Sequence, residues 1–228
     1  GLSRYHIFNS VEKSLDRLQL DTIDLLYVHG VDSVTSIREV MRGLNDVVDS
    51  GMVRYIGVCN WPAWQVMKAQ GIARREGWHE FKAMQYYYSL SSRDVEDALI
   101  PLAQSEGLGF RPWSPLAGGF LSGKYTRENE QAGGGARRDE FDFPPVDKEQ
   151  AYDIVEVMQT IADDHDATVA EVALAWVRHQ SGVTSTIIGA KNTEQLASNL
   201  RSAELELTDD DLTRLDEVSA PPDRYPFW

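Results

Sequence analysis

Residues 23–30 read Ile-Asp-Leu-Leu-Tyr-Val-His-Gly, a nearly continuous apolar and aromatic run that stops at His29-Gly30. A run this short and this apolar marks a strand buried on both faces, which belongs in a parallel sheet covered by helices. Upstream, Ile7, Val11, Leu15 and Leu18 repeat at helical spacing over about Arg4 to Leu20, and Ser3 is placed to cap the helix. Downstream, Ile37, Val40, Met41, Leu44, Val47 and Val48 outline a second helix that Gly51 stops. Val53 to Val58 repeats the strand pattern and ends at Cys59-Asn60.

The alternation continues outward. A helix is expected over about Trp64 to Glu76 and a strand over about Lys82 to Tyr87. Pro101 suits the first turn of a short helix ending at Gly107, and a fourth strand, Leu108 to Trp113, ends at Ser114-Pro115. A long loop follows, in which Ala132 to Ala136, with three consecutive glycines, reads as flexible linker. Helices resume near Lys148, and Thr168 with Glu171 has the spacing of a capping box. A fifth strand, Thr184 to Ile188, leads through Gly189-Ala190-Lys191 into a helix from about Thr193, and a final helix, about Asp209 to Val218, follows Thr208.

Strands alternating with helices at βαβ spacing give either a (β/α)8 barrel of the TIM type or an open doubly wound sheet. Each expected strand ends in polar or glycine-containing residues, as the C-terminal face of a barrel requires, and no strand runs into G-x-G-x-x-G. The reading is therefore α/β, an incomplete (β/α)8 barrel of about five parallel units forming one domain over residues 1–228.

Composition narrows the function. The 228 residues are 42% hydrophobic and 10% aromatic, enough for one sizeable core, and no apolar run reaches the ~20 residues of a membrane span. Lys and Arg number 22 against 36 Asp and Glu, so the net charge of -14 repels nucleic-acid phosphates. Neither a membrane nor a nucleic acid is expected as a partner. The single cysteine, Cys59, leaves no disulfide framework and suits a reducing, cytoplasmic compartment. His6, His79, His165 and His179 show no metal-ligand spacing, and Gly133 to Gly135 lack the lysine and hydroxyl of a P-loop, so no metal is expected.

Several stretches together carry a resemblance that spans nearly the whole chain. They are Ser14-Leu15 with Arg17-Leu18, Ile23-Asp24-Leu25-Leu26 before His29, Gly57-Val58-Cys59-Asn60, Gln85, Trp113-Ser114-Pro115-Leu116, Gly118-Gly119-Phe120-Leu121-Ser122-Gly123-Lys124-Tyr125 and Ile188-Gly189-Ala190-Lys191. In order and spacing the sequence resembles an aldo-keto reductase, in the branch that includes bacterial reductases and potassium-channel beta subunits. The resemblance implies an NADP-dependent oxidoreductase that reduces aldehydes or ketones by direct hydride transfer.

It also implies roles for individual residues. His29 stands where the family has its catalytic histidine, and an imidazole at a strand's C-terminal end can hydrogen-bond a substrate carbonyl. Tyr27 shares its face and reads as interior packing. Asn60 and Gln85 stand at nicotinamide-carboxamide positions, since an amide offers the donor and acceptor that group needs. Cys59 replaces a more common serine beside them. Trp113 matches the aromatic that stacks on the nicotinamide ring, while Ser114, Leu116, Gly118, Leu121 and Lys124 belong to the loop at the pyrophosphate. Gly189, Lys191, Gln195 and Asn199 lie at the last strand-to-helix turn, where helix N–H groups can receive an anion. Lys191 resembles a ligand of the 2'-phosphate, which favours NADP (NADPH) over NAD.

The family's remaining catalytic residues, an Asp, a Tyr and a Lys, belong to the segment bearing its first three strands, which the resemblance places before Gly1. The 228 residues alone are accordingly expected to be inactive, with open sheet edges that invite a second chain or self-association. The alternative is a non-catalytic nucleotide-binding or partner-binding module of the same fold. No loop residue identifies the aldehyde or ketone.

Overall fold

The computed structural model describes residues 1–129, 138 and 141–222. The triple glycine, Gly133 to Gly135, lies outside the described residues. The chain forms two compact units, Gly1–Tyr86 with Pro101–Phe110, and Tyr87–Ile100 with Arg111 onward.

The first unit follows the expected alternation: α1 (Arg4–Leu18), β1 (Ile23–Val28), α2 (Ile37–Asp49), β2 (Val53–Cys59), α3 (Ala63–Glu76), β3 (Phe81–Tyr87), α4 (Leu99–Glu106) and β4 (Gly109–Trp113). The division between units falls inside β3, α4 and β4. The strands form one sheet in the order β1-β2-β3-β4. The β1/β2 and β2/β3 pairings are parallel, with Tyr27 opposite Gly57 and Cys59 opposite Gln85. This is the α/β fold of an incomplete barrel, as expected.

Side-chain periodicity explains the packing. Val40, Met41, Leu44 and Val47 of α2, and Val66, Ala69 and Ala73 of α3, are buried with Val53, Ile56 and Val58 of β2. Gln70, 1% exposed, accepts the Phe81 N–H at 2.9 Å, so the first residue of β3 enters the core with its backbone satisfied. A Cβ on Gly57 would come within 2.6 Å of the Tyr27 ring, so glycine is what lets that ring lie across β2. Tyr27 therefore packs, as read from its register.

Ser3 caps α1 through a bond from the His6 N–H. The helix stops at Leu18 because Gln19 turns left-handed (φ 55°), and Leu20 N–H returns to Leu15 O at 3.1 Å. Leu18, expected on the buried face, is 59% exposed; only Ile7 and Val11 of that face are buried.

The second unit carries α5 (Lys148–Asp164), α6 (Val169–His179), α7 (Thr193–Arg201) and α8 (Asp209–Val218). The Thr168–Glu171 capping box is present, and Thr208 with Asp211 forms another at α8. Val172, Ala173, Leu174, Ala175, Trp176 and Val177 are all buried, which makes α6 the core of this unit. Arg93 binds both carboxylate oxygens of Glu96, Asp216 Oδ1 and Ser219 Oγ, and its guanidinium lies over the Trp176 ring. That network fixes α8 against α6.

The fifth strand differs from expectation. Residues 184–188 run without strand structure, and the Ile187 N–H donates to Pro112 O of β4 at 2.9 Å. Pro112 supplies the reason. A parallel ladder needs both the N–H and the C=O of alternate residues, and proline has no N–H to give. No described helix is long and apolar enough to cross a membrane, and no described group of three or more His, Cys, Asp or Glu could hold a metal.

Candidate functional site

In the first unit, the C-terminal ends of three neighbouring strands bring His29, Asn60 and Gln85 together. Asn60 follows β2 in the left-handed region (φ 57°), a conformation asparagine tolerates better than most residues. The turn aims its amide back across the sheet, where Nδ2 donates to the His29 carbonyl oxygen at 3.2 Å. Asn60 N–H donates to Gln85 O at 3.4 Å, so one residue links the ends of β1 and β3. The His29 and Asn60 side chains are exposed and Gln85 is half-buried. Cys59, by contrast, is 1% exposed, and burial pushes its thiol from 9.0 up to about 11. It is a neutral filler, not a thiolate.

The second unit holds a cavity of about 650 Å³. Its lining includes Ser114, Leu116, Gly118, Lys124, Gly189, Lys191, Gln195 and Asn199, eight of the residues singled out from sequence. The loop after β4 reaches the cavity through an unusual backbone. Ser114, Ala117, Gly118 and Gly119 all have positive φ, and Ser114 Oγ accepts the Gly118 N–H at 2.8 Å. A Cβ at Gly118 would stand 2.5 Å from Phe143 O, so no other residue fits there unchanged. Leu121 belongs to the same turn but is fully buried and faces the core, not the cavity.

Across the cavity, the turn 189–191 is braced by α7. Asn192 caps the helix by accepting the Gln195 N–H at 2.8 Å, Gln195 Oε1 accepts the Lys191 N–H at 2.9 Å, and Asn199 Nδ2 donates to Gly189 O at 3.1 Å. Gln195 and Asn199 thus shape the turn itself. The N-terminus of α7 and the exposed Lys191 both lie on this wall, and a helix N-terminus favours an anion.

Trp113 is not part of that lining. Its ring stacks with Tyr87 (centroids 5.1 Å apart) and with Phe143 (5.9 Å), and Phe143 in turn meets Phe141 at 5.6 Å.

Two features escaped the sequence reading. Arg138, which the sequence does not single out, is buried: its guanidinium donates to Ala117 O (2.8 Å) and Pro144 O (2.7 Å), pairs with Asp142 and covers Phe120. It locks the positive-φ turn beside the cavity. Glu171, legible only as a cap, also bonds Ser198, which lines the cavity with Thr168.

Comparison with known proteins adds the following. The model of the aldo/keto reductase family matches residues 1–220. A Schizosaccharomyces pombe protein provisionally named an aryl-alcohol dehydrogenase is 36% identical over 222 residues, covering 97% of this chain and 62% of that protein. Versiconal hemiacetal acetate reductase of Aspergillus parasiticus is 36% identical over 236 residues, covering 99% and 65% respectively. Norsolorinic acid reductase of Aspergillus flavus is 35% identical over 211 residues, covering 92% and 51%. The chain spans a little under two thirds of the length of the first two of these relatives.

Proposed function

The chain belongs to the aldo/keto reductase family, and from that premise we propose that the protein it represents is an NADPH-dependent reductase of aldehydes or ketones, aromatic ones among them. The observation that carries the proposal is the 650 Å³ cavity, where a capped helix N-terminus, an exposed lysine and the positive-φ turn after β4 all contribute to the lining. That combination suits a phosphate-bearing nucleotide in a protein whose net charge would otherwise repel one. Lys191 is the cation for a 2'-phosphate, which favours NADPH over NADH.

When bound, the dinucleotide supplies a hydride to the carbonyl carbon. Asn60 and Gln85 would hold its carboxamide, each through an amide that can both give and accept a hydrogen bond. His29, exposed at the end of β1, would donate to the substrate oxygen and so orient the carbonyl. The alkoxide that forms needs a proton. The resemblance assigns that donor to a tyrosine with no counterpart among these 228 residues, so turnover is proposed for the whole protein and not for this chain alone.

Two things support aromatic carbonyls as the substrate class. One relative carries the provisional name of an aryl-alcohol dehydrogenase, and the Tyr87, Trp113 and Phe143 rings stack in succession with Phe141 tilted against the last. The test is to follow NADPH absorbance with paired aromatic and aliphatic aldehydes of similar reactivity. Faster turnover of the aromatic member by the complete protein is expected; no carbonyl-dependent oxidation of NADPH would refute the function, and equal rates would remove the aromatic preference.

A further inference from the structure

We infer that Tyr86 is a positioning residue: its hydroxyl, donated to the Trp61 carbonyl, holds Asn60 in the turn that presents an amide to the nicotinamide. The inference rests on the role proposed for Asn60 above.

Strand β3 grips Asn60 from both sides. Gln85 O accepts the Asn60 N–H at 3.4 Å, and Tyr86 Oη donates to Trp61 O at 2.7 Å. Two consecutive residues of one strand therefore anchor the backbone just before and just after the Asn60 α-carbon, where φ is 57°. A residue other than glycine keeps that conformation only where its surroundings fix it. The contact that these anchors aim is the third one, Asn60 Nδ2 to His29 O at 3.2 Å.

The Tyr86 bond is the shorter of the two anchors, and both of its residues are buried. Helix α3 takes its first backbone bonds at Pro62 O, from the Gln65 and Val66 N–H groups at 2.9 and 3.2 Å, so the Trp61 carbonyl stands one residue ahead of the helix. The Trp61 indole meets Phe81 edge-on at 5.9 Å, and its buried N–H has no hydrogen-bond partner among the described residues. Packing and the Tyr86 hydroxyl are thus what hold Trp61 in place. The Tyr86 ring lies flat against Phe110, with centroids 6.0 Å apart and planes 4° from parallel. Burial pushes its phenol above the usual value, so it remains a donor at neutral pH. A carbonyl left buried without a donor is costly, so removing the hydroxyl should shift the turn rather than leave it unchanged.

Alternation along β3 accounts for the arrangement. Gln85 and Tyr86 project to opposite faces of the strand, so the amide assigned to the carboxamide and the support for its neighbour occupy consecutive positions.

The test compares two nucleotides on the complete protein by titration calorimetry: NADPH, and 2'-phospho-ADP-ribose, which lacks the nicotinamide. Tyr86→Phe keeps the ring and removes the hydroxyl. It should weaken NADPH about fivefold and leave the nicotinamide-free nucleotide within about twofold. In Asn60→Gly no amide is left to aim, so adding Tyr86→Phe should change NADPH affinity by no more than about twofold, the non-additivity expected of residues acting through one another. A hydroxyl that serves stability alone would lower the melting temperature while leaving both affinities intact or lowering them together. Either of those results, independent losses from the two substitutions, or a Tyr86→Phe chain that does not fold, overturns the inference. Normal NADPH binding by Asn60→Gly alone would refute the role proposed for Asn60, and this inference with it.

Discussion

Asn60 donates through Nδ2 to the main-chain oxygen of His29 at 3.2 Å, so the amide assigned to the nicotinamide also sets the position of the histidine assigned to the carbonyl. The two roles separate by substitution. Asn60→Gly relieves the left-handed backbone (φ 57°) while removing the amide, whereas Asn60→Ala removes the amide and adds about 1 kcal/mol of strain. Both should weaken NADPH binding by roughly tenfold, and only the alanine variant should lose several degrees of melting temperature. A glycine variant that binds NADPH normally would reduce Asn60 to a loop clamp.

Lys191 sits at the turn braced by Gln195, beside the N-terminus of α7. Replacing it with alanine should cost NADPH about 1.5 to 3 kcal/mol of binding energy and NADH far less, because a charge-assisted contact to a 2'-phosphate exists only in the first. Side-by-side titrations decide this. Matching losses for the two cofactors would mean that Lys191 does not read the phosphate.

Much of this architecture is legible in the sequence, because apolar runs such as Leu25 to Val28 and capped periodic segments such as 168–179 are local signals. What is not legible depends on neighbours far along the chain. Thr184 to Ile188 has strand composition, yet the partner it needs is Pro112, which cannot complete the ladder. Leu18 fits the helical stripe but lies beyond the covered part of it. Eight of the cofactor candidates meet at the cavity because they belong to two segments, the loop after β4 and the turn 189–191 with α7, each identifiable by its glycines. Arg138 gave no such sign, and Glu171 gave only that of a helix cap. Their importance comes from burial against backbone carbonyls and a serine that only the folded chain provides.

Cys59 makes a prediction about pH. Burial holds its thiol protonated up to about 11, against 9.0 when free. Between those values the unfolded chain ionises and the folded one does not, so the unfolded state binds fewer protons and stability falls as pH rises. Melting temperature should decline from about pH 9 upward, and more shallowly in Cys59→Ala, which lacks the group. Native Cys59 should also resist alkylation at neutral pH. Rapid alkylation of the folded protein would show that the thiol is reached by solvent.

His29 is proposed to act on the carbonyl of an NADPH-dependent reduction and to do little else. His29 is exposed and contributes little packing, so its loss should be felt at the transition state alone. The deciding measurement is kcat/KM for an aromatic aldehyde with NADPH, taken on the complete protein and on His29→Ala, alongside NADPH affinity. The expected result is a fall of roughly 100-fold, about 2.7 kcal/mol, with cofactor affinity and melting temperature nearly unchanged. A variant that retains its turnover, or that loses NADPH binding in proportion to activity, would contradict it.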